Sequence, residues 1–462
     1  MSVPGPAPTD ARDDERGVHE HAVPGLGVRY ATEGASIHRT VSVGDSSHTS
    51  TLDAGPDELD RRPDAAWFLA RSKGRPPTPN DRTRGGRIRT VDLFSGSGGL
   101  SLGTRWAAEA LGRRASTLLA VDVDPAALDV HRYNHAPRKT YLGSVRDLFT
   151  PEAFAAIDDP AALPSDAVVT PDASWLPIDA SADLVFGGPP CQGHSNLNNV
   201  TRRTDDRNQL YYWMALAAHA FRAKAVVVEN VASVKADAGD VVGATIDAFR
   251  RMGYRVLVDD VLSADRMGVA QTRRRHFLVA VREDVASEVA PHLRDWLLAT
   301  DVPTPTLMDA IGDLEDFAAE GEYDTPSTLS EENQARIDHL FEHDLHDLPD
   351  AIRPASHRGG HTYPSVYGRM YADRPAGTLS TGFLTPGRGR YVHPTRRRTM
   401  TPHEGARVQG FPDDFRFVGT SGTTPTRTAI ARMVGDAVPP PMAFHVALAT
   451  LASIDPEALG AR

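Results

Sequence analysis

The sequence is poor in three things. It holds one cysteine, Cys191, in 462 residues, which excludes an internal disulfide or a cysteine-based metal cluster and fits a reducing compartment. It has no run of about 18 apolar residues, so no segment reads as a membrane-spanning helix. Lysine is scarce, with four among 50 basic residues. No repeat is found, and the N-terminus opens on Pro, Gly and acidic residues rather than the basic-then-apolar order of a secretory signal. These absences lead to the expectation of a cytoplasmic chain with no membrane partner.

What is present is unevenly placed. The net charge of −11 argues against a nucleic-acid partner, but distribution matters more than the sum. Gly312 to Asp350 carries thirteen Asp and Glu against one Arg, whereas Arg374 to His403 carries six Arg and no acid. A basic cleft on an acidic body is therefore permitted.

Residues 1–86 are rich in Pro, Gly, Ser, Thr and Asp without sustained periodicity, and read as a disordered or loosely folded extension. From Arg87 the texture changes. "IRTVDLF", "TLLAVDVD", "ADLVFGG", "AKAVVVENV", "YRVLVDDVL" and "HFLVAV" are short apolar runs, most of them alternating with helical stretches. This predicts a doubly wound, mostly parallel α/β domain over 87–285. Residues 286–375 form a weakly helical, Asp-, Pro- and His-rich region, and 376–462 a basic stretch followed by helices. Thr401, Pro402 and Glu404 make a capping box with proline at the first helical position.

Three features lie at strand ends. "DLFSGSGG" places a Gly-rich turn between the first strand and its helix, where a ligand can approach the backbone. Its G-x-G-G spacing disfavours a dinucleotide. Asp122 ends the second strand and suits a ribose. "VFGGPPCQG" carries Cys191 and "VVVENV" carries Glu229, both at the carboxyl edge of the sheet, where open α/β folds bind ligands. A thiol and a buried carboxylate beside a cofactor loop suit nucleophilic and proton-transfer chemistry.

"DLFSGSGG", "GGPPCQG", "DDRNQL", "ENV", "QTRRRHF", "TPHEGARVQGFPDDF" and "GDAVPPPMA", in this order, resemble the signature blocks of the DNA (cytosine-5)-methyltransferase family, over roughly 87–445. The resemblance implies a Rossmann-like S-adenosylmethionine-dependent fold with a small irregular target-recognition domain. It implies that Cys191 adds to carbon 6 of a flipped cytosine while Glu229 serves ring N3, so that carbon 5 takes the methyl group. Arg273 and Arg275 would hold the base and brace the site. Phe94 would pack on the adenine, and Gly96, Ser97 and Gly99 would cradle the methionine part. Asp122, Val123, Ser144, Val145, Pro189, Leu210 and Asp436 would complete the cofactor pocket. S-adenosyl-L-methionine, giving S-adenosyl-L-homocysteine, is the implied cofactor, with no metal. Double-stranded DNA is the implied partner of a monomeric, prokaryotic, nucleoid-associated enzyme, with a cognate restriction or defence system alongside.

Departures from the family pattern stand out. Ser144 occupies a place where an Asp is common, unless Asp147 takes over that contact. Asp436 replaces Asn, and His194 stands where Phe is usual. Sequence reading would fall to 286–375, with "SHRGGHTYPS" as the groove-facing loop, and phosphate contacts to "GRGRYVHPTRRR". Two alternatives keep the same residues: a tRNA cytosine-5 methyltransferase, and a catalytically silent S-adenosylmethionine-binding regulator. A nicotinamide dehydrogenase fails on glycine spacing.

Overall fold

A computed structural model describes residues 17–80, 86–155, 181–190, 211–236, 240–315, 321–358 and 365–460. Two sheets organise it. The larger holds seven strands in the order β11-β12-β10-β9-β6-β7-β8. These are β6 (Arg87–Leu93), β7 (Arg114–Asp122), β8 (Lys139–Leu142), β9 (Leu184–Gly187), β10 (Ala225–Val231), β11 (Tyr254–Ser263) and β12 (Arg274–Arg282). Strands β6 to β10 run parallel, whereas β12 is antiparallel to both β10 and β11. The parallel strands are apolar on both faces, as in "TLLAV" and "AVVV", because helices cover both sides. Helix Gly99–Ala110 and the C-terminal helix Pro440–Ala452 pack together on one face, and helix Tyr212–Ala220 buries nearly all its residues on the other.

Strand β6 pairs with β7 on one side and β9 on the other. The chain order therefore reverses between β6 and β9, which opens a crevice at their carboxyl ends. Leu93, Gly187 and Val228 lie side by side in register, so the loops after these three strands converge on that crevice. The expected doubly wound fold is present.

Residues 17–80 correct, for the part they cover, the reading of 1–86 as a disordered or loosely folded extension. Four strands, β1 (Val18–Val23), β2 (Leu26–Glu33), β3 (Ser36–Val43) and β4 (Ser46–Asp53), form an antiparallel meander closed by the short β5 (Thr78–Pro79). Each hairpin turns on two residues, and Gly25, Gly34 and Gly44 supply the positive φ that such turns need. Leu26, Val28, Tyr30, Ile37, Val41 and Leu52 face inward onto helix Pro63–Ser72 and join the main core. Arg39 also points inward, its guanidinium 4.5 Å from the Trp67 ring and 5.1 Å from Phe444. With inward positions held by His, Arg and Ser, and outward ones by Ser and Thr, apolar alternation is too diluted to read.

The acidic region builds a small core of its own from Ile337, Leu340, Leu348 and Val392. It spans residue 375, so chain from both sides of the expected boundary forms one unit. No helix among the described residues is long and apolar enough to cross a membrane.

Candidate active site

Beyond Leu93 the chain makes the Gly-rich turn. Phe94, Gly96 and Gly98 all have positive φ, a conformation that costs a non-glycine residue energy and concentrates at functional sites. A Cβ at Gly99 would collide with the Val438 carbonyl, so only glycine lets this turn close against the C-terminal segment. Behind it, buried Asp92 accepts from Ser101 Oγ at 2.6 Å and lies 3.2 Å from His131 Nε2.

Asp122 fastens the turn from the next strand. Its Oδ2 accepts the Gly96 amide at 2.7 Å and its Oδ1 the Asp124 amide at 2.8 Å. Burial pushes its carboxyl upward against the pull of the Gly96 amide. Val123 beside it is 70% exposed, an apolar side chain left open at the cleft mouth. Ser144 caps the turn that follows β8, accepting the Arg146 amide at 3.2 Å. Asp147, the alternative to Ser144, is exposed and turned back onto the Ser144 amide at 3.0 Å, and it does not line the cleft.

Glu229 is buried near the end of β10, with Arg275 Nε 2.9 Å from its Oε1. Burial raises its pKa, while Arg275 and Arg273 oppose the rise. A Cβ at Gly188 would stand 2.9 Å from Glu229 Oε2, so glycine there keeps the second oxygen accessible. Arg273 does something different from its neighbour. Fully buried, it donates to the carbonyls of Leu379 at 3.1 Å and Gly435 at 2.9 Å, tying two distant segments to the cleft floor. Burial also raises the carboxyl of Asp436, with Arg273 and Arg432 pulling it down.

One cleft of about 450 Å³ joins Phe94, Gly96, Ser97, Gly99, Asp122, Val123, Ser144, Val145, Pro189, Glu229, Arg273, Arg275 and Asp436. Cys191, His194 and Leu210 lie outside the described residues. Pro189 and Pro190 bring the chain to the cleft immediately before Cys191. The cleft also fits a ligand with an adenosyl and an amino-acid end. An aromatic ring and an exposed valine flank a carboxylate, and the buried Ser95 and Ser97 hydroxyls have no partner among the described residues. No group of three or more His, Cys, Asp or Glu among those residues is placed to hold a metal ion.

The family model for C-5 cytosine-specific DNA methylases matches residues 88–451. The chain belongs to this family.

This methylase is 36% identical over 400 residues to Type II methyltransferase M1.BsuMI of Bacillus subtilis, covering 86% of this chain and 87% of that one. It is 28% identical to Type II methyltransferase M1.HphI of Haemophilus parahaemolyticus, covering 78% and 86% respectively. DNA (cytosine-5)-methyltransferase 3 of Arabidopsis thaliana is 26% identical, but the chain spans only 31% of that larger protein. Among solved structures, a triple mutant of DNMT2 from Spodoptera frugiperda matches with a TM-score of 0.50 at 15% identity, covering 78% of this chain and 97% of that one, which speaks to the fold alone.

Sequence reasoning missed Arg432 and Ser95, and placed Asn230 at the sheet edge without giving it a role. Arg432 lines the cleft and is ion-paired with Asp124; it stands outside any motif, so nothing local marks it. Asn230 is buried, and its amide faces the Pro189 carbonyl at 3.5 Å, a role concealed inside "ENV". The basic stretch of this methylase is also different from expectation. Arg390 pairs with Asp347 at 2.7 Å, Arg396 with Glu315 at 3.8 Å, Arg397 with Asp338 at 3.4 Å and Arg398 with Glu404 at 2.6 Å. The acidic region pairs with three of these arginines and Glu404 of the Pro402–Val408 helix with the fourth, although all were expected to meet phosphates. Most of "SHRGGHTYPS" falls outside the described residues.

Proposed function

We propose that this methylase transfers a methyl group from S-adenosylmethionine to carbon 5 of a cytosine flipped out of double-stranded DNA, through a covalent adduct with Cys191, as the modification half of a restriction-modification system. When bound, S-adenosylmethionine supplies an electrophilic methyl group. Phe94, Asp122 and the Gly-rich turn bind and orient that donor, and the turn excludes water from it. The Cys191 thiolate forms a bond to carbon 6, and the ring electrons move toward N3, where Glu229 delivers or shares a proton. Carbon 5 thereby becomes nucleophilic enough to take the methyl group. Loss of the carbon 5 proton and departure of the thiolate then restore the aromatic ring. Arg275 holds one Glu229 oxygen, leaving the other for the base.

The single supporting observation is convergence. The Gly-rich turn, Asp122, Glu229 with Arg275, and the Pro189–Pro190 approach to Cys191 share one cleft at the strand reversal. The Type II designation of the two bacterial relatives supports the restriction-modification role.

The test is expression in a methylation-free host, followed by bisulfite sequencing beside a Cys191→Ala control. Protected cytosines in a fixed context, lost in the mutant, are expected. Absence of protection in both would overturn the reading.

A further inference from the structure

The basic stretch holds one arginine that behaves unlike its neighbours. Arg388 closes a single helical turn, Pro386–Arg388, and is exposed, whereas Pro386 at the start of the turn is buried. Its stem lies on the backbone of Gly382, where a Cβ would meet Arg388 Cγ at 3.0 Å. Arg390, Arg396, Arg397 and Arg398 each meet a carboxylate. Among the described residues, the Arg388 guanidinium has no carboxylate or hydrogen-bond partner.

The turn beneath it is held firmly. Tyr367 donates its backbone N–H to the Pro386 carbonyl at 2.7 Å and does so at φ +62°, in a region that side chains of its hand rarely occupy. A Cβ at Gly387 would stand 2.9 Å from the Tyr367 hydroxyl, so the ring lies against the turn. The preceding residues tie the turn to the active site. Leu379 receives Arg273 on its carbonyl and donates its amide to Gln271 Oε1 at 3.0 Å. The Ser380–Thr381 backbone abuts Gly435, where a Cβ would come within 2.6 Å of the Thr381 nitrogen, and Gly435 lines the cleft. Tyr391 Oη braces the same segment, accepting the Ser380 amide at 3.0 Å and donating to the Thr378 carbonyl at 3.1 Å.

We propose that Arg388 reads the edge of a guanine beside the cytosine that this enzyme methylates, and so helps to set its target sequence. The proposal rests on the DNA-methylating reading above. An exposed, unpartnered guanidinium whose stem starts from a braced turn, one loop away from the cleft, matches what base readout requires, since its planar fork fits guanine O6 and N7 together. Phosphate contacts position the protein and need no such fixed aim.

Arg388→Ala and Arg388→Lys should be assayed with wild type on a duplex library randomised around the methylated cytosine, read by bisulfite sequencing. Both variants should retain methylation and lose guanine preference at one position by roughly tenfold or more, the discrimination of one bidentate contact. Lysine keeps the stem on Gly382 and the charge, so its failure to restore the preference isolates the fork. An even fall in rate across all sequences, or full restoration by lysine, would mark a phosphate contact and overturn the proposal. Unchanged preference in both variants would also overturn it. If wild type itself methylates no library member, the DNA-methylating reading fails first and takes this proposal with it.

Discussion

At Glu229 two influences oppose each other: burial favours the neutral acid and Arg275 favours the carboxylate. Glu229→Gln keeps the shape but cannot carry the proton. Turnover should fall by roughly 10²- to 10⁴-fold while binding of S-adenosylmethionine stays within about a factor of two; single-turnover methylation and calorimetry separate the two. His445 offers a test of stability. It is buried among Phe68, Trp296 and Phe444, and burial lowers its pKa from 6.5 to about 3. The unfolded chain therefore binds a proton below pH 6.5 that the folded one refuses until about pH 3. Stability should be fully present above pH 6.5 and lost on acidification, by up to about 1.4 kcal/mol per pH unit from this group. Urea midpoints at two pH values should show a shallower acid loss in His445→Leu. Glu229 and Arg275 were legible because ordered motifs name them. The clamp made by Arg273 was not, since its partners Leu379 and Gly435 are backbone carbonyls more than a hundred residues away.

Helix Gly99–Ala110 crosses helix Pro440–Ala452 at Gly103, where a Cβ would sit 2.6 Å from both the Phe444 nitrogen and the Pro440 carbonyl. Gly103→Ala would ordinarily strengthen a helix by about 1 kcal/mol. Here overpacking should outweigh that gain and destabilise the fold by roughly 1–3 kcal/mol, measured by denaturant unfolding. The parallel strands were legible because burial on both faces makes them continuous apolar runs. The N-terminal hairpins were not. Inward His19, His21 and Arg39 find their partners in Asp64, the Trp296 carbonyl and the Trp67 ring. Those partners lie on other elements, and only the assembled fold makes such residues suitable for an interior.

On the scale of the molecule, the N-terminal sheet is a wall of the main core. It covers Trp67, Phe68 and Trp296, which it shares with the catalytic sheet. A chain beginning at residue 54 should accumulate as insoluble protein or melt roughly 10 °C or more below the full chain, since each kcal/mol moves the midpoint by roughly 2–4 °C in a large domain. Soluble yield and a melting curve decide it. The pairing of arginines with the acidic region reaches further than the fold. A cation that already holds a carboxylate displaces few of the small ions condensed on a duplex, and their release is what makes most DNA affinities collapse in salt. This methylase should therefore keep its grip on DNA as ionic strength rises, with a logarithmic slope equivalent to only a few phosphates, and discriminate between sequences about equally well in dilute and concentrated salt.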